Sequence, residues 1–217
     1  MNIIGIEMSV IDQLASAFDR RDEKPNLDLA AKIAESEDLK AVEELVANLQ
    51  NRNKDIQSDC IKVLYEIGAV KPRLIESHLQ AFLTLLESSN NRLQWGAMTA
   101  LDCIAGVNPE AVYAELPRLA AAADRGSVIT RDHYVGILIR FCVIGAFSES
   151  AFALLNEQLM GCPENQLPMY AENALPVISG DFAALFRETL TSRLDDFEKA
   201  SKRARVEKVL KKLAARL

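Results

Sequence analysis

Few residues of this sequence have the type and spacing of a catalytic site. The 217 residues include two histidines, His78 and His133, and neither has a cysteine or another histidine three or four positions away. A zinc site needs several such ligands at short, defined spacings. The sequence also lacks a glycine-rich phosphate loop, an HExxH pair, a GxSxG turn and a CxxC pair. We therefore predict a protein that is not an enzyme and that holds no metal and no cofactor.

Arg140 is the most unusual polar residue, because it interrupts an apolar run of the chain. Residues 135–139 and 141–144 on either side of it carry no charge. An unpaired guanidinium is costly to bury, so two interpretations follow. In one, the side chain reaches solvent or pairs with a carboxylate such as Asp102 or Glu172. In the other, it projects into a groove and binds a carboxylate or a phosphate.

Four glycines follow four similar apolar stretches of the chain, and a second amphipathic stretch comes soon after each. They are spaced by 38, 39 and 35 residues, and they are Gly68, Gly106, Gly145 and Gly180. A repeat of that length, built from two helices and a turn, is typical of a solenoid of stacked helix pairs. Aromatic residues make up only 6% of the chain, which favours helix over strand. The sequence thus predicts an all-α fold.

The repeat places residues of one type at equivalent positions. Trp95 and Tyr134 each lie eleven residues before a glycine, and Cys103 and Cys142 each lie three residues before one. We expect the two aromatic residues on one ridge, which is either core or, if exposed, an anchor for a partner. The four cysteines are expected to be buried thiols in a reducing compartment, which favours a cytoplasmic location.

Turn signals and apolar periodicity predict about five helix pairs over residues 27–195. An N-terminal helix with its loop is expected over residues 7–26, the helix itself from Glu7 to Asp19. A basic helix over residues 196–217 is expected to cap the array, and residues 1–217 to form a single domain. The pairs are 27–35 with 39–50, 54–67 with 72–87, 93–105 with 109–123, 130–144 with 148–160, and 166–179 with 181–194.

Individual residues mark several of these helix ends. Asn108 and Pro109 are typical of a helix start, with the asparagine as N-cap and the proline in the first turn. Pro168 and Pro176 predict a kink or a shortened helix at the start of the fifth pair. The apolar stripe expected on the C-terminal helix consists of Val206, Leu210, Leu213 and Leu217.

Three segments repeat the order of apolar helix, glycine turn and amphipathic helix: LYEIGAVKPRLIESHLQAFLTLL, LDCIAGVNPEAVYAELPRLAAAA and RFCVIGAFSESAFALLNEQL. With this pattern the chain resembles the HEAT and armadillo-like repeat superfamily. Second helices commonly line a concave binding surface in that superfamily. The resemblance implies an α-α superhelix (solenoid) whose second helices bind a partner.

The net charge of −6 is unevenly distributed along the chain. Residues 199–217 contain eight basic residues and one acidic residue, a charge of +7, so the remaining chain carries −13. Such an acidic body attracts cationic partners, and we expect a bound protein or peptide to be basic. The longest apolar stretch, residues 134–147, is too short to cross a bilayer.

Candidate binding residues are the polar side chains of the second helices that fall off the apolar stripe. With them the sequence predicts a non-catalytic scaffold or adaptor for a protein or peptide, and Arg140 joins them under the groove interpretation. The candidates on the second helices are Arg73, Glu76, Gln80, Glu110, Arg118, Asn156, Glu157 and Arg187.

An alternative function is nucleic-acid binding through the basic C-terminal helix. A related one is DNA glycosylase-type repair, because some glycosylases for alkylated bases are HEAT-like arrays with Trp, Asp and Arg in the groove. The residues of this chain that would serve there are Trp95, Asp102 and Arg140, although the motifs of that family are absent. The acidic body argues against binding to duplex DNA, which needs many cationic phosphate contacts.

Overall fold

The computed structural model describes residues 9–20 and 22–216, which contain helices and turns and no β-strand. The all-α prediction is therefore confirmed. The chain divides into two compact units, Met1–Arg131 and Asp132–Leu217. The α-helices are α1 (Lys24–Ser36), α2 (Leu39–Ala47), α3 (Lys54–Val70), α4 (Leu79–Leu85), α5 (Asn91–Ala105), α6 (Pro109–Tyr113), α7 (Leu116–Arg125), α8 (Val128–Phe141), α9 (Ser148–Gly161), α10 (Leu167–Ala174), α11 (Phe182–Ser192) and α12 (Ala200–Ala214).

Helix α3 lies at the centre of the first unit, where it packs against α1, α2 and α5. Its start is fixed by Asn53, whose side-chain oxygen accepts a hydrogen bond from the backbone N–H of Asp55 at 2.9 Å. Asn90 caps α5 in the same way through the N–H of Arg92, at 3.0 Å. Such caps satisfy N–H groups that have no partner within the helix.

The contact between α3 and α5 depends on the missing side chain of Gly96. A Cβ at this position would lie 2.6 Å from Cγ1 of Ile61, well inside van der Waals distance. Gly68 has a similar role, because a Cβ there would lie 2.5 Å from Cδ1 of Ile75. Gly68 does not close a helix, and that prediction was wrong: α3 continues to Val70. The residue lies within the helix and close to Ile75 and Cys103, and it is not in a turn.

The remaining three glycines of the repeat lie at helix ends, as the sequence predicts. Gly106 directly follows α5, and Gly145 lies in the turn before α9. Gly180 has a φ of 53°, in the left-handed region that glycine adopts without a steric penalty.

The α-helix expected from Glu7 to Asp19 is not formed over the described part of that range; residues 7 and 8 lie outside the described residues. Two 3-10 helices, Val10–Gln13 and Ala15–Phe18, take its place. Side chains from other helices satisfy the backbone here: Asn26 accepts from the N–H of Ala15 at 2.9 Å, and Asp59 accepts from the N–H of Ser16 at 2.8 Å. These tertiary bonds replace the helical ones.

Two second helices are interrupted where the sequence predicts continuous ones. The 3-10 helices Pro72–Leu74 and Glu76–His78 precede α4, so the predicted helix over 72–87 is broken. The helix predicted over 109–123 is divided into α6 and α7, because Pro117 has no N–H to donate to the carbonyl of Tyr113.

Other helix signals are confirmed by the described residues. The side-chain oxygen of Asn108 accepts from the N–H of Ala111 at 3.4 Å, and Pro109 begins α6. Pro176 lies in the 3-10 helix Leu175–Val177 that ends the fifth pair's first helix early.

A buried arginine stabilises the end of α9 in the second unit. Nη1 of Arg193 donates to the carbonyl oxygens of Leu159 and Cys162, at 2.8 Å each, and Nε donates to Asp196 at 2.7 Å. The last carbonyls of a helix have no partner within it. Arg193, which directly follows α11, supplies a hydrogen-bond donor to the end of α9 and so joins α9 to α11.

Helix α12 packs against α10 and α11 through a stripe that differs slightly from the predicted one. Val206, Val209 and Leu213 are buried, whereas Leu210 is half-buried and Leu217 lies outside the described residues. The helix thus covers apolar surface of the second unit. The predicted division of the chain into residues 7–26, 27–195 and 196–217 stays a prediction.

Side-chain bonds between helix pairs follow the repeat period within each unit. Their partners are separated by about one repeat, so equivalent positions of neighbouring pairs are joined. Examples are Asn26 with Asp59, 33 residues apart, Arg118 with the carbonyl of Leu83, 35 apart, Thr189 with Asn156, 33 apart, and Lys202 with Glu164, 38 apart.

Replacing Gly96 by alanine tests the close approach of α3 and α5. The new Cβ forces Ile61 or the helices apart, so we expect Gly96→Ala to lower the free energy of unfolding by about 1–3 kcal/mol. Urea unfolding followed by circular dichroism measures this change.

The matched control is Gly145→Ala, since a Cβ at that turn position meets no atom within 4 Å. It should be neutral or stabilise by up to about 1 kcal/mol, because alanine restricts the unfolded chain. Equal stability of the two variants would contradict the packing role of Gly96.

Candidate binding surface

The structure places the polar residues predicted on the second helices mostly at the surface. Arg73, Gln80, Glu110, Arg118, Glu157 and Arg187 are exposed, whereas Glu76 and Asn156 are half-buried. Glu76 lies 3.9 Å from Arg73 and accepts from Asn108 at 3.3 Å. Asn156 accepts from the hydroxyl of Thr189 at 2.7 Å. These two side chains therefore join neighbouring segments of the fold, whereas the other six are exposed.

Arg118 is exposed but also takes part in local bonds. It donates to the carbonyl oxygen of Leu83 and to Glu115, at 3.3 Å each, and lies 3.8 Å from Glu87. Such weak surface pairs leave a side chain able to exchange partners. Arg140 on α8 is exposed as well, so its guanidinium is not buried within the apolar run around it.

The aromatic residues at equivalent positions differ in their surroundings. Tyr134 is completely buried and belongs to the core. Trp95 is half-buried. The centroid of its ring lies 5.6 Å from the ring centroid of Tyr65 and 5.7 Å from Cζ of Arg92. Neither is a fully exposed aromatic anchor.

Sequence reasoning missed a charged cluster on the first helices, which we call the Glu23 cluster: Glu23, Lys62, Glu66 and Arg92. Lys62 is only 8% exposed, and its ammonium lies 2.9 Å from Glu23 and 2.7 Å from Glu66. Arg92 also pairs with Glu23. The partners of Glu23 are one and two repeats away along the chain, so only knowledge of the repeat register would have revealed them.

The charges of the Glu23 cluster stabilise one another. The guanidinium of Arg92 lowers the pKa of Glu23 against the opposing effect of burial, and Lys62 acts in the same direction. Burial opposes the charged form of Lys62, yet the ion pairs with Glu66 and Glu23 raise the pKa of its ammonium above the ordinary value. Glu23 and Lys62 are thus both charged at neutral pH.

An open polar cavity of about 580 Å³ adjoins this cluster in the first unit. Five carboxylates and two arginines line it, so it is acidic. Both carboxylate oxygens of Asp59 are used within the protein, by the N–H of Ser16 at 2.8 Å and by Asn26 at 2.7 Å. The charged lining residues are Asp19, Arg20, Asp22, Glu23, Asp55, Asp59 and Arg92.

Three of the four cysteine thiols are buried. Burial raises the pKa of the Cys60 thiol to about 12 and that of Cys142 to about 11, so neither is a reactive thiolate at neutral pH. Cys162 is buried too, whereas Cys103 is only half-buried. Within residues 9–20 and 22–216, no three His, Cys, Asp or Glu side chains converge as metal ligands would. The same residues include no helix with the length and hydropathy to span a membrane.

The substitution Lys62→Met tests the Glu23 cluster. It leaves two partly buried carboxylates without their shared cation, so we expect the free energy of unfolding to fall by about 2 kcal/mol at pH 7. Lys24→Met is the matched control, because the pair of Lys24 with Asp28 is well exposed and worth at most about 0.5 kcal/mol.

The pH dependence gives a second readout of the same variant. Because folding lowers the pKa of Glu23, its stabilising charge is present above the ordinary value of 4.5 and is lost as the pH falls through the folded value. The stability difference between wild type and Lys62→Met should therefore shrink on acidification. A difference that stays constant down to about pH 3 would contradict the ion pairing.

This chain resembles known proteins in its fold but not in its sequence. No family model matches the chain, and no curated protein matches it. Among solved structures, an engineered protein is 19% identical with a TM-score of 0.60, over 96% of this chain and 100% of its own.

Two designed armadillo repeat proteins are similar over a comparable length. One, designed for modular peptide recognition, is 16% identical with a TM-score of 0.56, over 93% of this chain and 97% of its own. Another, solved in complex with the peptide (KR)4, is 14% identical with a TM-score of 0.57, over 93% of this chain and 98% of its own. The predicted resemblance is confirmed: this chain has an all-α solenoid fold of the armadillo/HEAT-like helical-repeat class.

Proposed function

We propose that this protein is a non-catalytic scaffold that binds a protein or peptide segment along its second helices. The observation that carries the proposal is the likeness of the fold, over nearly the whole chain, to repeat proteins designed for peptide recognition. Polar side chains on α4, α6, α7, α9 and α11 support it, because they are exposed at the surface.

The charge of the chain supports a basic partner. Outside residues 199–217 the net charge is −13, and one designed structural neighbour was solved with a peptide of alternating Lys and Arg. Glu110 and Glu157 are exposed carboxylates on second helices, and no side chain among the described residues pairs with either. A cationic segment can therefore be bound there at a small desolvation cost. The four cysteines, none of them in a disulfide, suit a reducing, cytoplasmic location.

The surroundings of Trp95 do not favour the glycosylase alternative, and nucleic-acid binding through the basic C-terminal helix stays a prediction. Trp95 is packed against Tyr65 and covered by Arg92, so much of its surface is already used. The groove containing Trp95 and Arg140 stays a prediction.

Fluorescence anisotropy with a labelled (Lys-Arg)4 peptide tests the proposal. We expect binding that weakens with salt, and each of Glu110→Lys and Glu157→Lys should weaken it about three- to tenfold, because it replaces an attractive charge by a repulsive one.

Glu35→Lys is the control with the same change in net charge. Glu35 is exposed on α1, a first helix, and its reversal should change the affinity by less than about twofold. Failure of the peptide to bind, or an equal loss in Glu35→Lys, would overturn the assignment to the second helices.

A further inference from the structure

Three of the eight basic residues on and next to α12 attach that helix to the rest of the second unit. Lys202 pairs with Glu164 at 3.1 Å, and Arg205 forms two hydrogen bonds with Glu172, at 2.9 and 2.6 Å. Arg216 donates to the carbonyl oxygen of Leu175 at 2.9 Å. Arg203 bonds to carboxylates on and just before its own helix. These bonds fix the position of α12 against α10.

The other four basic residues have no ion pair within the described part of the chain: Lys199, Lys208, Lys211 and Lys212. All are exposed. Lys208 and Lys212 are four residues apart and therefore lie on the same face of α12. Lys199 and Lys211 do not line the groove between α10 and α12, whereas Lys208 and Lys212 do. The helix thus offers two pairs of unpaired lysines in different surroundings.

Lys208 and Lys212 line a groove of about 230 Å³ between α10 and α12. Arg205 lines it as well, and Glu172 is the one carboxylate among its lining residues, so the groove is cationic. Leu175 and Val209 complete the lining and are nearly buried. The groove therefore combines a cationic rim with an apolar floor.

The electrostatics of Glu172 agree with this arrangement. Its hydrogen bonds with Arg205 lower its pKa against the opposing effect of burial, and the charges of Arg205, Lys208 and Lys212 lower it further. The positive field in the groove thus exceeds what a single arginine supplies. A second carboxylate that enters the groove meets two ammonium groups without partners.

We propose that the groove between α10 and α12 binds an acidic peptide segment of a partner protein, with carboxylates on Lys208 and Lys212 and an aliphatic side chain on Leu175 and Val209. Residues four apart on a helix are about 6 Å apart along its axis. Carboxylates at every second residue of an extended segment have a similar spacing of about 7 Å. The lining residues offer no aromatic ring on which a nucleic-acid base could stack, which favours the peptide.

This site goes beyond the proposed function, because it binds a partner of the opposite charge through a different helix. The two proposals can also fail independently. The (Lys-Arg)4 peptide reports on the second helices, whereas an acidic peptide reports on α12.

The test is anisotropy of a labelled octaglutamate peptide with the full chain at low salt, about 50 mM sodium chloride. We expect binding, and Lys208→Glu with Lys212→Glu in one chain should weaken it about tenfold or more. Glu172→Gln should tighten binding several-fold, because it removes the carboxylate that competes for Arg205. Thermal unfolding by circular dichroism establishes that each variant is folded. If the chain with Lys208→Glu and Lys212→Glu does not fold, the chain with Lys208→Gln and Lys212→Gln is used in its place.

The double variant Lys199→Glu with Lys211→Glu is the matched control, with the same charge change on the same segment but outside the groove. It should weaken binding by less than about threefold. Equal losses in the two double variants would overturn the proposal, because attraction would then come from the helix as a whole. Absence of octaglutamate binding, or tighter binding of a twelve-nucleotide oligothymidine than of octaglutamate, would also overturn it.

Discussion

The close approach of α3 to α5 is the constraint on which the first unit depends. Helix α3 buries apolar side chains against helices on both of its sides, and Gly96 lets α5 come near enough to cover Ile61. No helix of such a repeat can bury its apolar face alone, so each gains stability only from its neighbours. The Glu23 cluster can form because this packing brings three successive first helices together.

The sequence predicted the helix pairs well, because the apolar period and the polar caps act locally. Asn108 and Pro109 start a helix as expected, and α3 begins at Lys54, where the prediction placed it. The predictions failed where tertiary contacts determine the local structure. Gly68 looked like a turn residue but lies within α3, close to Ile75. Over the described part of the helix expected from Glu7 to Asp19, two 3-10 helices held by distant side chains are found instead.

The candidate binding residues were predicted less completely than the fold. Helical periodicity identifies which side chains point away from the apolar stripe, and most of those chosen are exposed. It does not show that Asn156 is bonded to Thr189, or that Lys62, a charged residue in an otherwise apolar stretch, is buried between two carboxylates. Those facts depend on which repeat lies beside which, and that register became visible only in the folded chain.

The hydrogen bonds between neighbouring helix pairs have a consequence for how such a chain can change over generations. Donor and acceptor lie about one repeat apart, as Asn26 and Asp59 or Thr189 and Asn156 do. Duplication of one whole repeat would place each donor opposite a copy of its former acceptor, whereas an inserted segment of another length would misalign them. A lineage of this protein can therefore gain or lose length most readily in whole steps of about 35 residues.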